Sequence, residues 1–278
     1  MLADKTLVST SASTFIVFAS DAHYAPAMQL MSLLTDAPSS KIRALKRFGI
    51  VASANSAIEW LNINTVSLDV IQEYFRGAET AFVFIMPTDL SDVNQLTRSL
   101  LEIATEAGVR RFAWVAPACG AGTELGSRLT EAANLVRSSG LETLVLTHAP
   151  LLSDLLEHKK ELKFRRTLSL PLGNSSLPWL APDVIANGLY KWVLGELNNQ
   201  PPELLTGSTQ LIGQDIARGL SDVLTQTMNP RQFAQLRFQA IDLDRSGHID
   251  AAELFPYLLD LAKTKRSLSL SPQGRVMR

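Results

Sequence analysis

The sequence predicts an α/β fold: a doubly wound, mostly parallel sheet with helices on both faces, followed by a small helical module at the C-terminal end. Two observations carry this prediction. Up to about residue 150, short apolar segments alternate with amphipathic segments of helical length. One short segment, residues 81–85, is apolar throughout, as is typical of a strand covered on both faces. Strands joined through helices run parallel, because each connection crosses back over the sheet.

The N-terminal half contains the first expected elements. Residues 14–18 read TFIVF, and these β-branched and aromatic residues predict a strand. A turn of small residues follows, and the apolar stretch 28–34 predicts a helix. Residues 41–45 predict the next strand. Apolar residues recur at helical spacing between residues 91 and 107, and Gly108 is expected to end this amphipathic helix.

The second half continues the alternation. Residues 111–116 and 143–147 predict strands, and the stretch 129–136 between them predicts a helix. Further along, the pattern loosens into segments rich in Lys, Arg, Pro, Asn and Ser. Two more helices are expected there, at residues 182–194 and 214–227.

Composition excludes several classes of protein. The chain has 26 basic and 27 acidic residues among 278, so no net field favours nucleic acid or an anionic membrane surface as a partner. The apolar run near the N-terminus is short and lacks a basic leader, so we expect neither a signal peptide nor a membrane anchor. A single cysteine, Cys119, excludes an intrachain disulfide and fits a reducing compartment. We therefore expect a cytoplasmic protein.

Residues 242–253 read DLDRSGHIDAAE, which places oxygen-bearing side chains at loop positions one, three, five, nine and twelve and glycine at six. Calcium takes roughly six to eight oxygen ligands, and this spacing folds them around one point. The segment resembles an EF-hand, although an acidic surface loop that happens to fit the template is the alternative. The expected calcium ligands are Asp242, Asp244, Ser246, the backbone carbonyl of His248, Asp250 and Glu253.

An EF-hand usually pairs with a second one, and the sequence contains no other loop of this kind. Its pairing face must therefore contact something else. Either it docks on the α/β body, or it meets the same loop of another chain and forms a homodimer. The sequence leaves both arrangements open.

Several segments before the calcium loop share their order and spacing with a known family. They are the first strand and turn, KIRALKR, GVRRFAWVA, LVRSSGLETLVLTHAP and LLTGSTQLIGQDIARGLSDVL. Over about residues 12–225, the chain resembles the NmrA-like atypical short-chain dehydrogenase/reductase proteins, which have a Rossmann-like fold. We therefore expect an NmrA-like Rossmann domain over residues 1–228, an EF-hand module over residues 229–265 and a disordered tail over residues 266–278.

In that family the first turn carries a GxxGxxG fingerprint, whose glycines let the backbone approach a dinucleotide pyrophosphate. In this chain the three positions are Ala19, Ala22 and Ala25. Three added methyl groups, together with the negative charge of Asp21, argue against ordinary NAD(P) binding. Arg43 and Arg47 match positions that meet the extra phosphate of NADP in the family, and two solvated bases near a strand end are the alternative.

Two residues beside the expected crevice are candidates for acid–base catalysis. His148 ends a predicted strand, and strand ends face the ligand crevice in open α/β sheets. Tyr24 lies in the altered first turn. The alternatives are a buried histidine with a structural hydrogen bond and a tyrosine that fills an empty site. We find no convincing Tyr-x-x-x-Lys pair of the kind the family uses for catalysis.

These observations lead to three hypotheses. The main one is a calcium-binding protein whose Rossmann-like domain has lost NAD(P) binding and catalyses a non-redox cyclisation or isomerisation of a small apolar molecule. The second is a calcium-responsive regulator or scaffold without catalytic activity. The third is an NAD(P)H-dependent reductase with an unusual cofactor loop.

Overall fold

The computed structural model of the protein describes residues 13–37, 40–49, 57–120, 122–158, 175–197 and 203–225. Its strands are β1 (Thr14–Ala19), β2 (Lys41–Lys46), β3 (Ile58–Asn62), β4 (Thr80–Phe84), β5 (Arg111–Pro117), β6 (Glu142–His148) and β7 (Leu204–Leu205). They form a seven-stranded sheet in the order β3-β2-β1-β4-β5-β6-β7, and every neighbouring pair is parallel. The predicted doubly wound α/β fold is confirmed.

Helices cover both faces of this sheet. They are α1 (Ala25–Thr35), α2 (Leu68–Phe75), α3 (Val93–Glu106), α4 (Glu124–Arg137), α5 (Pro182–Val193) and α6 (Gly213–Thr225). One hydrophobic core lies between the sheet and helices α1 and α5. The other lies between the sheet and helices α2, α3 and α4. Short 3-10 turns occupy Ile63–Thr65, Pro87–Asp89 and Leu152–His158.

Strand β4 shows why a continuous apolar run was a reliable signal. Its side chains alternate between the two faces, so that Phe82 and Phe84 enter the core under α1 and α5. Ala81 and Val83 enter the opposite core. All of its residues are buried, as is required of a central strand covered on both faces.

The structure differs from the sequence prediction at both edges of the sheet. Strand β3 is mostly half-buried, so it lacks the apolar run that marks the central strands. Strand β7 has two residues and forms through its pairing with Thr147 and His148. Helix α1 begins at Ala25, earlier than the expected residue 28, because Pro26 is accommodated in the first turn of a helix.

The calcium prediction falls outside the described part of the chain. Residues 242–253, the module boundaries at 229–265 and the tail 266–278 all lie beyond residue 225, and pairing of two such loops in a homodimer stays a prediction. Within the described ranges, no group of three or more His, Cys, Asp or Glu residues could hold a metal ion. No helix in those ranges is long and apolar enough to cross a membrane.

Candidate functional site

The strand order reverses at β1, which pairs with β2 on one side and with β4 on the other. The chain continues from β1 through β2 to β3 on one side and then crosses back to β4 on the other side, so a crevice opens at the carboxyl ends of β1 and β4. Ligands of open α/β sheets bind at such a point. The first turn, residues 20–24, lies there and leads directly into α1.

Ala19, Ala22 and Ala25, which lie in and on either side of the first turn, are buried. Each exposes 5% or less of its surface. Ala19 belongs to the core beneath α1 and α5. A Cβ atom added to Gly49 would lie 3.1 Å from the Cβ of Ala22, so the methyl group of Ala22 faces Gly49. These methyl groups are therefore largely covered by protein atoms.

The segment that follows β2 lies against the first turn. The amides of Arg47 and Phe48 both donate to the carbonyl of Ser20, at 2.9 and 2.7 Å, and the amide of Ala22 donates to the carbonyl of Phe48 at 3.3 Å. The Asp21 carboxylate accepts from the amide of His23 at 2.8 Å, so it closes the turn locally. This pairing brings the side chain of Arg47 to the crevice.

A buried carboxylate links three strand ends at this point. Asp89 is fully buried and accepts hydrogen bonds from the Ser20 hydroxyl and, at 2.9 Å, from the amide of Met86. The Arg47 guanidinium lies 3.5 Å from Asp89 and 3.3 Å from Asp92. Burial raises the pKa of Asp89, and the bonds from Ser20 and Met86 and the charge of Arg47 oppose that shift. The sequence analysis missed Asp89 as a site residue, because its partners Ser20 and Arg47 follow other strands.

The structure brings together the two predicted acid–base residues. The Tyr24 hydroxyl lies 3.2 Å from Nε2 of His148, and Nδ1 of His148 lies 2.8 Å from the carbonyl of Ala149. The Tyr24 ring packs edge-on against Phe84, with ring centroids 5.8 Å apart. Burial raises the pKa of Tyr24 far above its usual value, and the charges of Asp154 and Asp89 add to this. Burial lowers the pKa of His148.

Other candidate residues lie away from this crevice. Arg43 donates to the carbonyls of Tyr74 and Arg76, at 2.7 and 2.8 Å, and so satisfies the end of α2. Cys119 is exposed and lines a cavity of about 300 Å³ between α4 and the β6–β7 edge. Its sulfur lies 3.4 Å from the Thr123 hydroxyl, and among the described residues no basic side chain forms a hydrogen bond with it. We assign no nucleophilic role to it.

Comparison with known proteins identifies the fold. No protein-family model and no curated protein sequence matches the chain. Among solved structures, a triphenylmethane reductase of Citrobacter sp. in complex with NADP(H) has a TM-score of 0.60 at 15% identity, covering 81% of this chain and 83% of that one. An NADPH-dependent quinone oxidoreductase of Escherichia coli in complex with NADPH has a TM-score of 0.59 at 15% identity, covering 81% and 82%. A nucleoside-diphosphate-sugar epimerase of Staphylococcus aureus has a TM-score of 0.58 at 15% identity, covering 81% and 84%.

These comparisons correct two expectations. The prediction that calcium is the cofactor and that NAD(P) does not bind is wrong. The solved structures with this fold include complexes with NADPH and NADP(H), and nothing in the comparisons points to calcium. The main functional hypothesis, a calcium-binding protein with non-redox chemistry, is wrong for the same reason. The chain has the Rossmann-like fold of NAD(P)-binding epimerases and reductases.

Proposed function

We propose that the chain is an NAD(P)H-dependent reductase that binds its nucleotide in the crevice at the end of β1. The observation that carries this proposal is the position of Arg47. Its guanidinium is held beside the first turn by Asp89 and Asp92, at the switch point of the sheet. A planar cation with several donors fits a phosphate group, so the proposal favours NADPH over NADH.

Arg47 can replace its contact with Asp92 by a contact with a phosphate at little cost in free energy. Asp92 keeps 46% of its side chain exposed, and its contact with Arg47 is 3.3 Å long. Ion pairs of this exposed kind contribute little, on the order of 0–1 kcal/mol. Asp89 remains behind Arg47 and fixes the direction of the guanidinium. The Arg47 side chain itself is 20% exposed, so it is accessible from the crevice.

The backbone of the first turn contributes less to phosphate binding than a glycine-rich turn does. The amides of Ala22, His23 and Tyr24 donate within the protein, to the Phe48 carbonyl, the Asp21 carboxylate and the Asp21 carbonyl. Side chains and the start of α1 must therefore meet the negative charge of the nucleotide. This gives Arg47 a larger share of the affinity than a base at the rim of a glycine-rich site has.

The remaining walls of the crevice fit an apolar hydride acceptor. Met86 follows β4, and Ala149 and Pro150 follow β6, so the strand ends beside the first turn present mainly apolar atoms. The bound nucleotide supplies the hydride. A quinone and a triphenylmethane dye are the first acceptors to test, because neighbours of this fold are named for reactions with them.

The test is a titration of the purified full chain with NADPH and NADH, followed by nucleotide fluorescence. We expect saturable binding of NADPH with a Kd below about 100 μM, in the range common for enzyme ligands, and weaker binding of NADH. Turnover is then measured as loss of NADPH absorbance with each acceptor. Absence of saturation with both nucleotides at millimolar concentration would overturn the proposal.

A further inference from the structure

A hydrogen bond fastens the first turn to the far side of the crevice. Tyr24 directly precedes α1, and His148 is the last residue of β6. Between them lie the ends of β4 and β5 in the sheet order. The Tyr24 side chain extends past the end of β4, where its ring packs against Phe84. Its hydroxyl lies 3.2 Å from Nε2 of His148. Tyr24 exposes 9% of its surface and His148 exposes 4%, so the contact is sheltered from water.

The surrounding groups fix the direction of this hydrogen bond. The carbonyl of Ala149 can only accept, so Nδ1 of His148 carries the hydrogen in their 2.8 Å contact. Nε2 of the neutral ring then has a free lone pair and accepts from the Tyr24 hydroxyl. A protonated ring would have hydrogen on both nitrogens, and the Tyr24 hydroxyl hydrogen would lose its acceptor in a buried place.

The charged groups around the pair favour this arrangement. Asp154, on the turn Leu152–His158, and Asp89, on the turn Pro87–Asp89, act on the Tyr24 phenol. Burial, and in addition the negative charges of these two residues, raise the pKa of Tyr24 and keep it protonated, so it remains a donor. Strand β4 presents the apolar ring of Phe84 to the pair. Burial disfavours the charged form of His148, so its ring stays neutral at ordinary pH.

We propose that Tyr24 and His148 are positioning residues, whose hydrogen bond holds the first turn in the conformation that binds the nucleotide. The proposal rests on the proposed NAD(P)H-dependent function. The first turn also carries the backbone contacts to Arg47 and Phe48, so its position sets the position of the phosphate-binding guanidinium. Neutral His148 keeps the turn closed, and protonated His148 releases it.

The first arm of the test needs no nucleotide. The imidazole of His148 is observed by NMR in the full chain, with assignment by comparison with His148→Gln. We expect hydrogen on Nδ1 and none on Nε2 at neutral pH, and a downfield phenol hydrogen that disappears in Tyr24→Phe. A ring with hydrogen on Nε2 would overturn the proposal, whatever the protein binds.

The second arm measures the Kd of NADP⁺, which is stable in acid, as the pH is lowered through the titration of His148. We expect the wild-type Kd to rise by about tenfold per pH unit below that point, because only the neutral form binds. Tyr24→Phe keeps the ring against Phe84, and we expect it to bind weakly at every pH. His148→Gln offers an acceptor that does not titrate, so we expect near-normal affinity without the pH step.

Two controls separate other titrations from that of His148. NAD⁺ lacks the extra phosphate, so the rise in Kd at low pH must also appear with NAD⁺ if it comes from a group of the protein and not from that phosphate. Asp89→Asn removes the buried carboxylate, and the rise in Kd at low pH should persist in this variant. A wild-type pH profile in Tyr24→Phe would overturn the positioning role. If no variant binds either nucleotide while the NMR arm gives the expected tautomer, the proposed function fails and the hydrogen bond stands.

Discussion

Gly49 and Ala22 face each other across the first turn of the crevice. A Cβ atom on Gly49 would lie 3.1 Å from the Cβ of Ala22 and 2.9 Å from a carboxylate oxygen of Asp21. Gly49 also has a φ of 84°, in the left-handed region that favours glycine. The space that Gly49 leaves is therefore the space that the Ala22 methyl group needs. Alanine can therefore replace the second glycine of the GxxGxxG fingerprint, at position 22, because the segment after β2 has a glycine, Gly49, opposite it.

We expect Gly49→Ala to destabilise the protein through two effects. The left-handed backbone costs about 1–2 kcal/mol for a residue with a Cβ atom, and the contacts with Ala22 and Asp21 add to that cost. Urea unfolding followed by circular dichroism measures the sum. Gly77→Ala is a matched control, because Gly77 has a φ of 76° and nothing within 4 Å of an added Cβ.

The double variant Ala22→Gly/Gly49→Ala isolates the contact between the two residues. Removal of the Ala22 methyl group should restore part of the stability lost in Gly49→Ala, while the backbone cost remains. Equal losses in Gly49→Ala and Gly77→Ala would contradict the proposed contact.

The central strands could be predicted from sequence because their pattern is local. Residues 81–85 are apolar throughout, and the structure buries β4 on both faces. The edges could not be predicted in this way. Strand β3 has a mixed, half-exposed pattern, and β7 exists only through its pairing with the end of β6. Such strands depend on neighbours that are distant in sequence.

The candidate site shows the same limit. Sequence reasoning singled out Tyr24 and His148 separately, but their contact joins residues 124 positions apart. It missed Asp89, whose partners lie on other strand ends. It also counted the methyl groups of Ala19, Ala22 and Ala25 against NAD(P) binding, because a local motif does not show that these side chains are buried. The tertiary fold decides each of these points.

Arg47→Ala should abolish the preference for NADPH over NADH. Loss of a charge-assisted contact to phosphate costs about 1.5–3 kcal/mol, so we expect the NADPH Kd to rise roughly 10- to 150-fold. The NADH Kd should change little, because NADH lacks that phosphate. Arg76→Ala is the control, since Arg76 is 74% exposed and pairs with Glu73 on α2. A parallel rise in both Kd values would contradict the assignment.

Arg111→Ala should be strongly destabilising. Arg111 is buried at the start of β5, where it lies 2.7 Å from Glu79 and donates to the Val193 carbonyl at 2.9 Å. Its loss removes these contacts, and the Val193 carbonyl, which is half-buried, loses its charged donor. Hydrogen bonds from a charged group typically contribute about 1.5–3 kcal/mol each. Urea unfolding provides the measurement.

The adjacent Arg110 is a control for Arg111. It contacts the same Glu79 at 3.4 Å, but its side chain is 66% exposed. An exposed pair of this kind contributes about 0–1 kcal/mol, so Arg110→Ala should remain close to wild type. Similar losses in the two variants would show that burial of Arg111 is not the cause.

The buried carboxylate of Asp89 should make stability fall as the pH rises. Burial raises its folded-state pKa above the unfolded value of 3.8, so the folded protein binds this proton more tightly. The stabilisation is full below the unfolded pKa and is lost as the pH rises through the folded pKa. Unfolding free energies of wild type and Asp89→Asn are measured across this range. Asp89→Asn should gain stability relative to wild type with rising pH.

Ser20→Ala tests how the hydrogen bond from Ser20 affects the pKa of Asp89. The Ser20 hydroxyl donates to Asp89 and so favours the charged form, which opposes the effect of burial on the pKa. Its removal should raise the pKa of Asp89 further. The decline in unfolding free energy should then extend to higher pH in Ser20→Ala than in wild type. In each background, the contribution of Asp89 is the difference between the protein with Asp89 and the matched variant that carries Asp89→Asn. A decline that ends at the same pH in both backgrounds would show that the hydroxyl does not act on this carboxylate.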